Sequence, residues 1–336
     1  MAVTTREIRL KSRPTGVPSL DNFELAERRL EAPRQGQVLV RNLWMSVDPY
    51  MRGRMRDQKS YIAPFQIGEP LEGSAVGIVE ASDAPGFAPG DLVTHFAGWR
   101  DYALVESSSA AKIDDRIAPA QAYLGPLGVP GLTAYMGLTR IGEVKAGETV
   151  FVSAGSGAVG SIVCQIAKIK GCRVIASAGS DAKVAWLRDE LKVDAAINYR
   201  STDDFEAALA KACPDGLDVY FDNVGGEQLD AALRVANDFA RFPLCGMISQ
   251  YNSETPPSGP RWLFLVVVKR LTLKGFIISD HLEVMPEFTA EMARWIAQGR
   301  IRWRETVVTG LDQAPQAFLG LFTGENLGKA LVDLRT

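Results

Sequence analysis

Histidine is almost missing from this chain: 336 residues contain only two, His95 and His281. Cysteine is nearly as scarce. Cys164, Cys172, Cys213 and Cys245 stand apart, and no two form a C-x-x-C pair. A Cys/His zinc site needs clustered ligands, so the sequence offers no credible metal set. The same scarcity argues against a disulfide framework and for small, reduced, mostly buried thiols. His95, in Val93-Thr-His-Phe96, has no G-x-S-x-G elbow to serve, so pairing with Ser107 or Ser108 is set aside for a structural role. An excess of one charge is also lacking. The net charge is −3, which supplies no field for nucleic acid. The longest aliphatic run, Leu263-Phe-Leu-Val-Val-Val268, is far too short to span a bilayer. The opening MAVTTREIRLKSR contains no apolar h-region of a secretory signal. The expectation is a cytoplasmic protein with neither a membrane nor a nucleic-acid partner.

What is present is a hydrophobic content of 46%, ample for a large core, on a chain long enough for about two domains. The rest is organised around Thr149 to Lys183. Thr149-Val-Phe-Val-Ser-Ala154 is an apolar, β-rich run suited to a strand buried on both faces. Gly155-Ser-Gly157-Ala-Val-Gly160 then matches G-x-G-x-x-G. Val159, Ile162, Val163 and Ile166 follow at helical spacing, and Arg173-Val-Ile-Ala-Ser177 reads as a second strand. In strand–turn–helix–strand order this is a dinucleotide signature. The glycines admit a pyrophosphate close to the backbone, and the N–H groups at the helix start bind its charge.

NAD-binding units usually carry Asp or Glu about 20 residues past the glycines, on the ribose hydroxyls. Here the second strand ends in Ser177-Ala-Gly-Ser180, with no acid at its tip. Small residues leave room for a 2′-phosphate, and Lys183 supplies a positive charge within one turn. The competing reading of Lys183 is an ordinary solvated lysine. Asp181 fits as a cap or first-turn acid of a helix over 181–191.

Residues 1 to about 120 differ in character. Short strand candidates at 23–30, 37–45, 73–80, 92–96 and 102–105 are separated by Pro/Gly turns, which suggests a mostly antiparallel β domain. A helix is expected within Gly125–Gly142, after a Pro-Gly start. From Thr149 strands and helices alternate, as in a doubly wound parallel sheet. Strands are expected at 195–197, 217–223, 240–247 and 271–278, and helices at 203–212, 226–235 and 287–299. A final strand–helix–strand over 305–309, 314–322 and 329–334 is expected to rejoin the first domain.

AGSGAVG, GSDAK, Asn198-Tyr199, Phe221-Asp-Asn-Val-Gly-Gly226, Cys245-Gly246 with Tyr251-Asn252, and Gly324-Glu-Asn-Leu-Gly-Lys329 occur in this order. Ser46-Val-Asp-Pro-Tyr-Met-Arg52 stands upstream. Together they resemble the zinc-independent branch of the medium-chain dehydrogenase/reductase superfamily. More narrowly, they resemble its alkenal/one oxidoreductase, prostaglandin reductase and leukotriene B4 dehydrogenase group. The resemblance covers essentially the whole chain. It implies an α/β fold: a doubly wound Rossmann domain, residues 126–300, inserted into a mostly antiparallel, GroES-like catalytic domain, residues 1–125 and 301–336. It implies NADPH as cofactor and reduction of a C=C bond conjugated to a carbonyl. Gly157, Ala158, Val159 and Gly160 would hold the pyrophosphate. Lys183 and Tyr199 would bracket the 2′-phosphate, and Asn223 would lie near the ribose or pyrophosphate. The loop from Cys245 and Gly246 to Tyr251, with Phe276, Ile277 and Ile278, would line the nicotinamide. Asn326 would reach the cofactor from the terminal segment. The zinc branch has Gly-His-Glu near the position of Gly68-Glu-Pro-Leu-Glu72 and a four-cysteine loop; this chain has neither. A homodimer is implied by the resemblance, with the run at Leu263 and the strand at Leu271 as its candidate interface.

Hydride delivery to the β-carbon of an enone leaves an enolate, which needs hydrogen-bond donors at its oxygen and a proton at its α-carbon. With no histidine, zinc or carboxylate pair in place, tyrosine hydroxyls and a cofactor ribose hydroxyl are the donors available. Tyr251 is expected near the carbonyl oxygen and Tyr50 as a wall or proton-side donor. The alternative for both is aromatic packing. Arg52, Arg54 and Arg56 are read as a solvated basic face rather than a grip on an acidic substrate tail. Asn223 and Asn326 have plain turn roles as alternatives. Trp99, Phe65 and Trp262 are open between pocket and core. Two further readings stand beside the reductase: a quinone oxidoreductase, and a crystallin-like protein that holds NADPH without turnover.

Overall fold

The structure is a computed structural model that describes residues 2–335. The chain divides into two compact units, Met1–Gly125 with Glu305–Thr336, and Pro126–Arg304.

In the first unit β1 (Val3–Leu10) and β2 (Phe23–Leu30) form an antiparallel pair in continuous register, Val3 opposite Leu30 and Leu10 opposite Phe23. Charged residues in Thr-Arg-Glu-Ile-Arg hid β1 from the sequence reading. Glu7 on this strand is buried, and both Nε and Nη2 of Arg9 donate to its carboxylate. A paired charge is tolerated where an isolated one would not be. β3 (Gln37–Ser46) is the spine of the second sheet; the short helix α1 (Met51–Arg54) follows it. β4 (Ala75–Ser82) pairs antiparallel with β3, and β5 (Leu92–His95) with β4. β6 (Tyr102–Glu106) pairs with β3 and β7 (Ala111–Lys112) with β5, both antiparallel. Trp99 and Phe65 are core residues, not pocket walls. The Trp99 ring stacks on Phe23 at 6.2 Å and meets Phe318 edge-on at 6.2 Å.

The arginine expectation is overturned. Arg52 and Arg54 are buried, at 1% and 5% exposure. Arg52 Nη2 donates to Gly16 O, and Arg54 donates to Ala63 O and to Glu72. The Arg54 guanidinium lies 4.0 Å over the Phe65 ring. Charge pattern alone gave no sign of this, because carbonyls and an aromatic face take the place of water.

The second unit is built on one parallel sheet. Helix α2 (Val129–Met136) leads into β8 (Thr149–Val152), α3 (Gly160–Ile169), β9 (Arg173–Ala178) and α4 (Asp181–Asp189). Next come β10 (Ala195–Asn198), α5 (Phe205–Ala212), β11 (Leu217–Phe221) and α6 (Gly226–Val235). β12 (Ala236–Leu244), α7 (Leu265–Val268), β13 (Thr272–Gly275) and α8 (Met285–Ala297) complete it. The strand order is β10-β9-β8-β11-β12-β13, all parallel. β8 is buried at all four positions, as a central parallel strand should be. The stack of Phe151 on Tyr220, 4.9 Å apart, joins it to β11 through the core.

Two strands are displaced from their expected places. β12 starts four residues earlier than the apolar run suggests and ends at Leu244, because Cys245 N and Gly246 N turn back to Asp222 O. β13 covers half of its expected range, and Phe276 to Ile278 leave the sheet. The chain then returns to the first unit. β14 (Glu305–Thr309) is parallel to β15 (Lys329–Asp333), α9 (Ala314–Thr323) lies between them in sequence, and β15 pairs antiparallel with β3.

His95 is a structural residue, as expected. It is buried, and its Nδ1 accepts from Ala97 N at 3.1 Å. Burial, and then the charge of Arg100, lower its pKa to about 4. The neutral ring is favoured in the fold, so this contribution to stability is complete above the unfolded pKa near 6.5 and lost as pH falls towards 4. Urea unfolding near pH 7 and near pH 4.5 should therefore show the wild type losing about 2 kcal/mol more than His95→Leu. Equal losses would refute this role.

Candidate functional site

The strand order reverses between β8 and β11, and in such sheets ligands bind outside the carboxyl ends of the strands at that point. Every expected site residue of the second unit follows the carboxyl end of one of its six strands.

After β8, Ala154 adopts a positive φ of 48° and the chain turns sharply into α3. A Cβ on Gly160 would lie 2.3 Å from Ala154 O, and one on Gly155 would lie 2.7 Å from Ala176 Cβ. Only glycine permits this approach of helix, turn and neighbouring strand. Gly157, Ala158 and Val159 are half-buried, and the helix begins at Gly160. Here Ser161 N donates to Gly157 O and Ile162 N to Val159 O, both at 3.0 Å, so an incoming anion would meet the backbone just ahead of them, at Ala158 to Gly160.

After β9, Ser180 caps α4 by accepting from Lys183 N at 3.4 Å. Asp181 is the first-turn acid, and its carboxylate accepts from Asn198 Nδ2 at 2.7 Å. That bond ties the acid to the end of β10. A Cβ on Gly179 would meet the Tyr199 hydroxyl at 2.9 Å and Arg200 Nε at 3.3 Å. Tyr199 and Arg200 are therefore folded over Gly179, beside Lys183. Burial, and then the charge of Arg200, lower the pKa of Lys183. Two cations share this corner. Sequence reading missed Arg200, although it directly follows Tyr199 in the quoted motif.

After β11, Asn223 Nδ2 donates to Ser153 O at 2.8 Å, and its backbone N donates to Ser153 Oγ at 2.9 Å. These bonds tie Asn223 to the end of β8 and not to the turn before Gly225-Gly226, and its carboxamide oxygen is the atom it could still offer. Asp222 before it is buried; its Oδ1 accepts from Tyr220, Val224 N and Gly225 N. After β12, a Cβ on Gly246 would lie 2.9 Å from the Tyr251 hydroxyl, so Tyr251 stands directly over this loop. Burial, and then Asp222, push the Cys245 thiol up to about 12, which keeps it neutral. After β13, Phe276 packs edge-on against Phe221 at 6.1 Å and closes over Gly137. Ile277 and Ile278 are half-buried in the following turn. Trp262 packs against the core of this unit.

Tyr50 and Asn326 belong to the first unit. The Tyr50 hydroxyl is buried without a partner in the protein, and burial followed by Asp48 raises its pKa. It remains protonated at neutral pH. Asn326 Nδ2 donates to Gly328 O at 2.8 Å, the plain turn role. Among the described residues no group of three or more His, Cys, Asp or Glu side chains is arranged to hold a metal ion.

Comparison with known proteins agrees with this architecture. Residues 6–113 match the family described as the N-terminal domain of oxidoreductase, and residues 158–298 match the one described as zinc-binding dehydrogenase. The NADPH-dependent curcumin reductase of Escherichia coli is 44% identical over 96% of this chain and 95% of its own. The NADP-dependent 2-alkenal reductase of Nicotiana tabacum is 42% identical over 98% and 97%. The crystal structure of CurA from Vibrio vulnificus in complex with NADPH superposes with a TM-score of 0.94, at 44% identity, over 98% of this chain and 99% of that one. The chain belongs to the zinc-independent medium-chain dehydrogenase/reductase family.

Proposed function

We propose that the protein is an NADPH-dependent reductase of the C=C bond of α,β-unsaturated aldehydes and ketones. The reading is supported by two relatives named for curcumin and 2-alkenal reduction, and by the order of residues along the strand ends. The observation that carries it is the cationic corner at Gly179. No carboxylate stands at the tip of β9, the nearest acid is engaged by Asn198, and Lys183 and Arg200 flank the position. The residues fit NADPH: the glycine turn after β8 has the close backbone approach a pyrophosphate needs, and the corner after β9 matches a 2′-phosphate.

In this reading Ala158, Val159 and Gly160 bind the pyrophosphate through backbone N–H groups, and Gly157, whose own N–H donates to Ala154 O, lets the pyrophosphate come close to the turn. Lys183, Tyr199 and Arg200 bind the 2′-phosphate. Asn223, Cys245, Gly246, Phe276, Ile277 and Ile278 border the nicotinamide half, and Asn326 contributes from the terminal segment. When bound, the reduced dinucleotide supplies the hydride that the β-carbon accepts. Tyr251 donates its hydroxyl hydrogen towards the substrate carbonyl oxygen, where negative charge develops. Tyr50 is the second donor, supported by its buried hydroxyl that no protein atom satisfies. Its raised pKa keeps the hydroxyl protonated, and so a hydrogen-bond donor, at neutral pH.

The protein is further proposed to be a homodimer. Leu263, Phe264, Val267 and Val268 are all more than half exposed, next in sequence to the edge strand β13. An apolar cluster beside an unpaired strand edge marks a surface that another chain covers.

Mixing the protein with NADPH and 2-hexenal should bleach the nicotinamide absorbance. NADPH should bind at least about tenfold more tightly than NADH, and Lys183→Ala or Arg200→Ala should narrow that gap. Equal affinities in the wild type would remove the phosphate assignment. Tyr251→Phe should lower kcat by about 10²-fold or more with little change in NADPH affinity; an unchanged kcat excludes it from the chemistry. In sedimentation, wild type should run as a dimer and Val267→Asp as a monomer. A monomeric wild type sinks the assembly.

A further inference from the structure

Asp222 is a buried acid that the proposed chemistry does not use. It lies directly after β11, at 0% exposure, with groups from three adjacent strands bonded to it. Its Oδ1 accepts from the Tyr220 hydroxyl at 2.7 Å, Val224 N at 2.8 Å, Gly225 N at 2.7 Å and Ser153 Oγ at 3.3 Å. Its backbone N donates to Pro243 O, and its backbone O accepts from Cys245 N at 2.8 Å and Gly246 N at 3.1 Å. Ser153, in turn, is held by Asn223 through both its hydroxyl and its carbonyl.

These bonds converge on the gap between β8 and β11. One carboxylate fixes the hydroxyl at the end of β8 and the two amides that open the turn towards α6. Between those two attachments sits Asn223. Gly225 and Gly226, at φ of 70° and 55°, let the turn bend tightly enough for both amides to reach one oxygen. The remaining oxygen, Oδ2, is buried without a partner. A buried carboxylate left half satisfied costs stability, so packing alone is a poor account of it.

We propose that Asp222 is the positioning residue of the cofactor site. Its carboxylate, acting through Ser153 and the Val224–Gly225 amides, holds Asn223 where the nicotinamide half of the dinucleotide is bound, while its backbone oxygen holds the Cys245–Gly246 loop. Asp222 does not touch the cofactor. The inference rests on the reading of the site as an NADPH site. The charge is part of the device, because an anionic acceptor binds its donors roughly twice as strongly as a neutral one.

The groups facing the carboxyl are the Tyr220 phenol of β11, the Cys245 thiol after β12 and the Ser153 hydroxyl after β8. Burial raises the Asp222 pKa against the pull of its hydrogen bonds, so acidification neutralises it earlier than an ordinary carboxylate.

The test is NADPH affinity, followed by nicotinamide fluorescence, in the full-length protein. Asp222→Asn keeps the shape and one acceptor oxygen. It should weaken NADPH by about tenfold near pH 8, and the ratio to wild type should shrink as the pH is lowered into the acid range. The ratio cancels titration of the cofactor's own phosphate. A purely structural role would leave the ratio independent of pH, and that result overturns the proposal. Ser153→Ala covers the case of a poorly folding Asp222 variant. It should weaken NADPH to a similar extent, and unchanged affinity in this variant also overturns the proposal. A wild type that binds no NADPH sinks the reading of the site and this inference together. A wild type that binds while Asp222→Asn binds equally well sinks this inference alone.

Discussion

The parallel pairing of β8 with β11 is the constraint on which the rest depends. Val150 faces Val219 and Val152 faces Phe221, so the two strands end at the same level. Beyond that level their chains diverge, β8 into the glycine turn and β11 into the Asp222–Gly226 turn. β9 is the other neighbour of β8 and β12 the other neighbour of β11, so the four strand ends stand in one row. A shift of one residue between β8 and β11 would turn every side chain of the slipped strand to the opposite face. The four fully buried positions of β8 and the Phe151–Tyr220 stack exclude that slip. Core packing thus sets how far apart the binding groups stand.

How much of this was legible in the sequence depended on the range of the interaction involved. The glycine turn was legible because its steric demand is local: Gly160 has no space for a Cβ against Ala154, six residues away. The missing acid after β9 was legible for the same reason. Arg200 was not, since its place over Gly179 arises only when β10 is laid beside β9. The burial of Arg52 and Arg54 was misread because their partners, Gly16 O and Ala63 O, are backbone atoms, 36 and 9 residues away, that residue type does not reveal. Composition records a side chain's charge and says nothing about the carbonyls waiting for it. β1 was lost for a similar reason, its charged residues concealing a strand that pairs in full with β2.

Residues that recur in family motifs divide here into two physical kinds. Asn326 and the side-chain nitrogen of Asn223 are engaged by backbone, the first within its own turn and the second across to the end of β8. Asp181 is likewise engaged, by Asn198. Tyr50 is the opposite case, a buried hydroxyl with no protein partner. A donor left unsatisfied in a folded protein costs about 1–3 kcal/mol, and such costs persist where something outside the chain makes use of the group.

The balance of charge along the strand ends carries the argument further. At β9 and β10 the acid is hydrogen-bonded by an amide, and two cations lie near one another, Lys183 half-buried and Arg200 exposed. At β11 the acid is kept, but it is buried and surrounded by neutral donors that all point at one oxygen. The first arrangement places two cations beside the corner; the second confines the carboxylate inside the turn, with the Val224 and Gly225 amides turned onto it. A ligand that bears a phosphate at one end and a neutral ring at the other matches that gradient. Its reversed orientation would lay a phosphate against the buried carboxylate, and at short range in a low dielectric that repulsion is costly. In the proposed reading, direction along the sheet follows from where each acid was placed, before any contact to the reacting ring is considered.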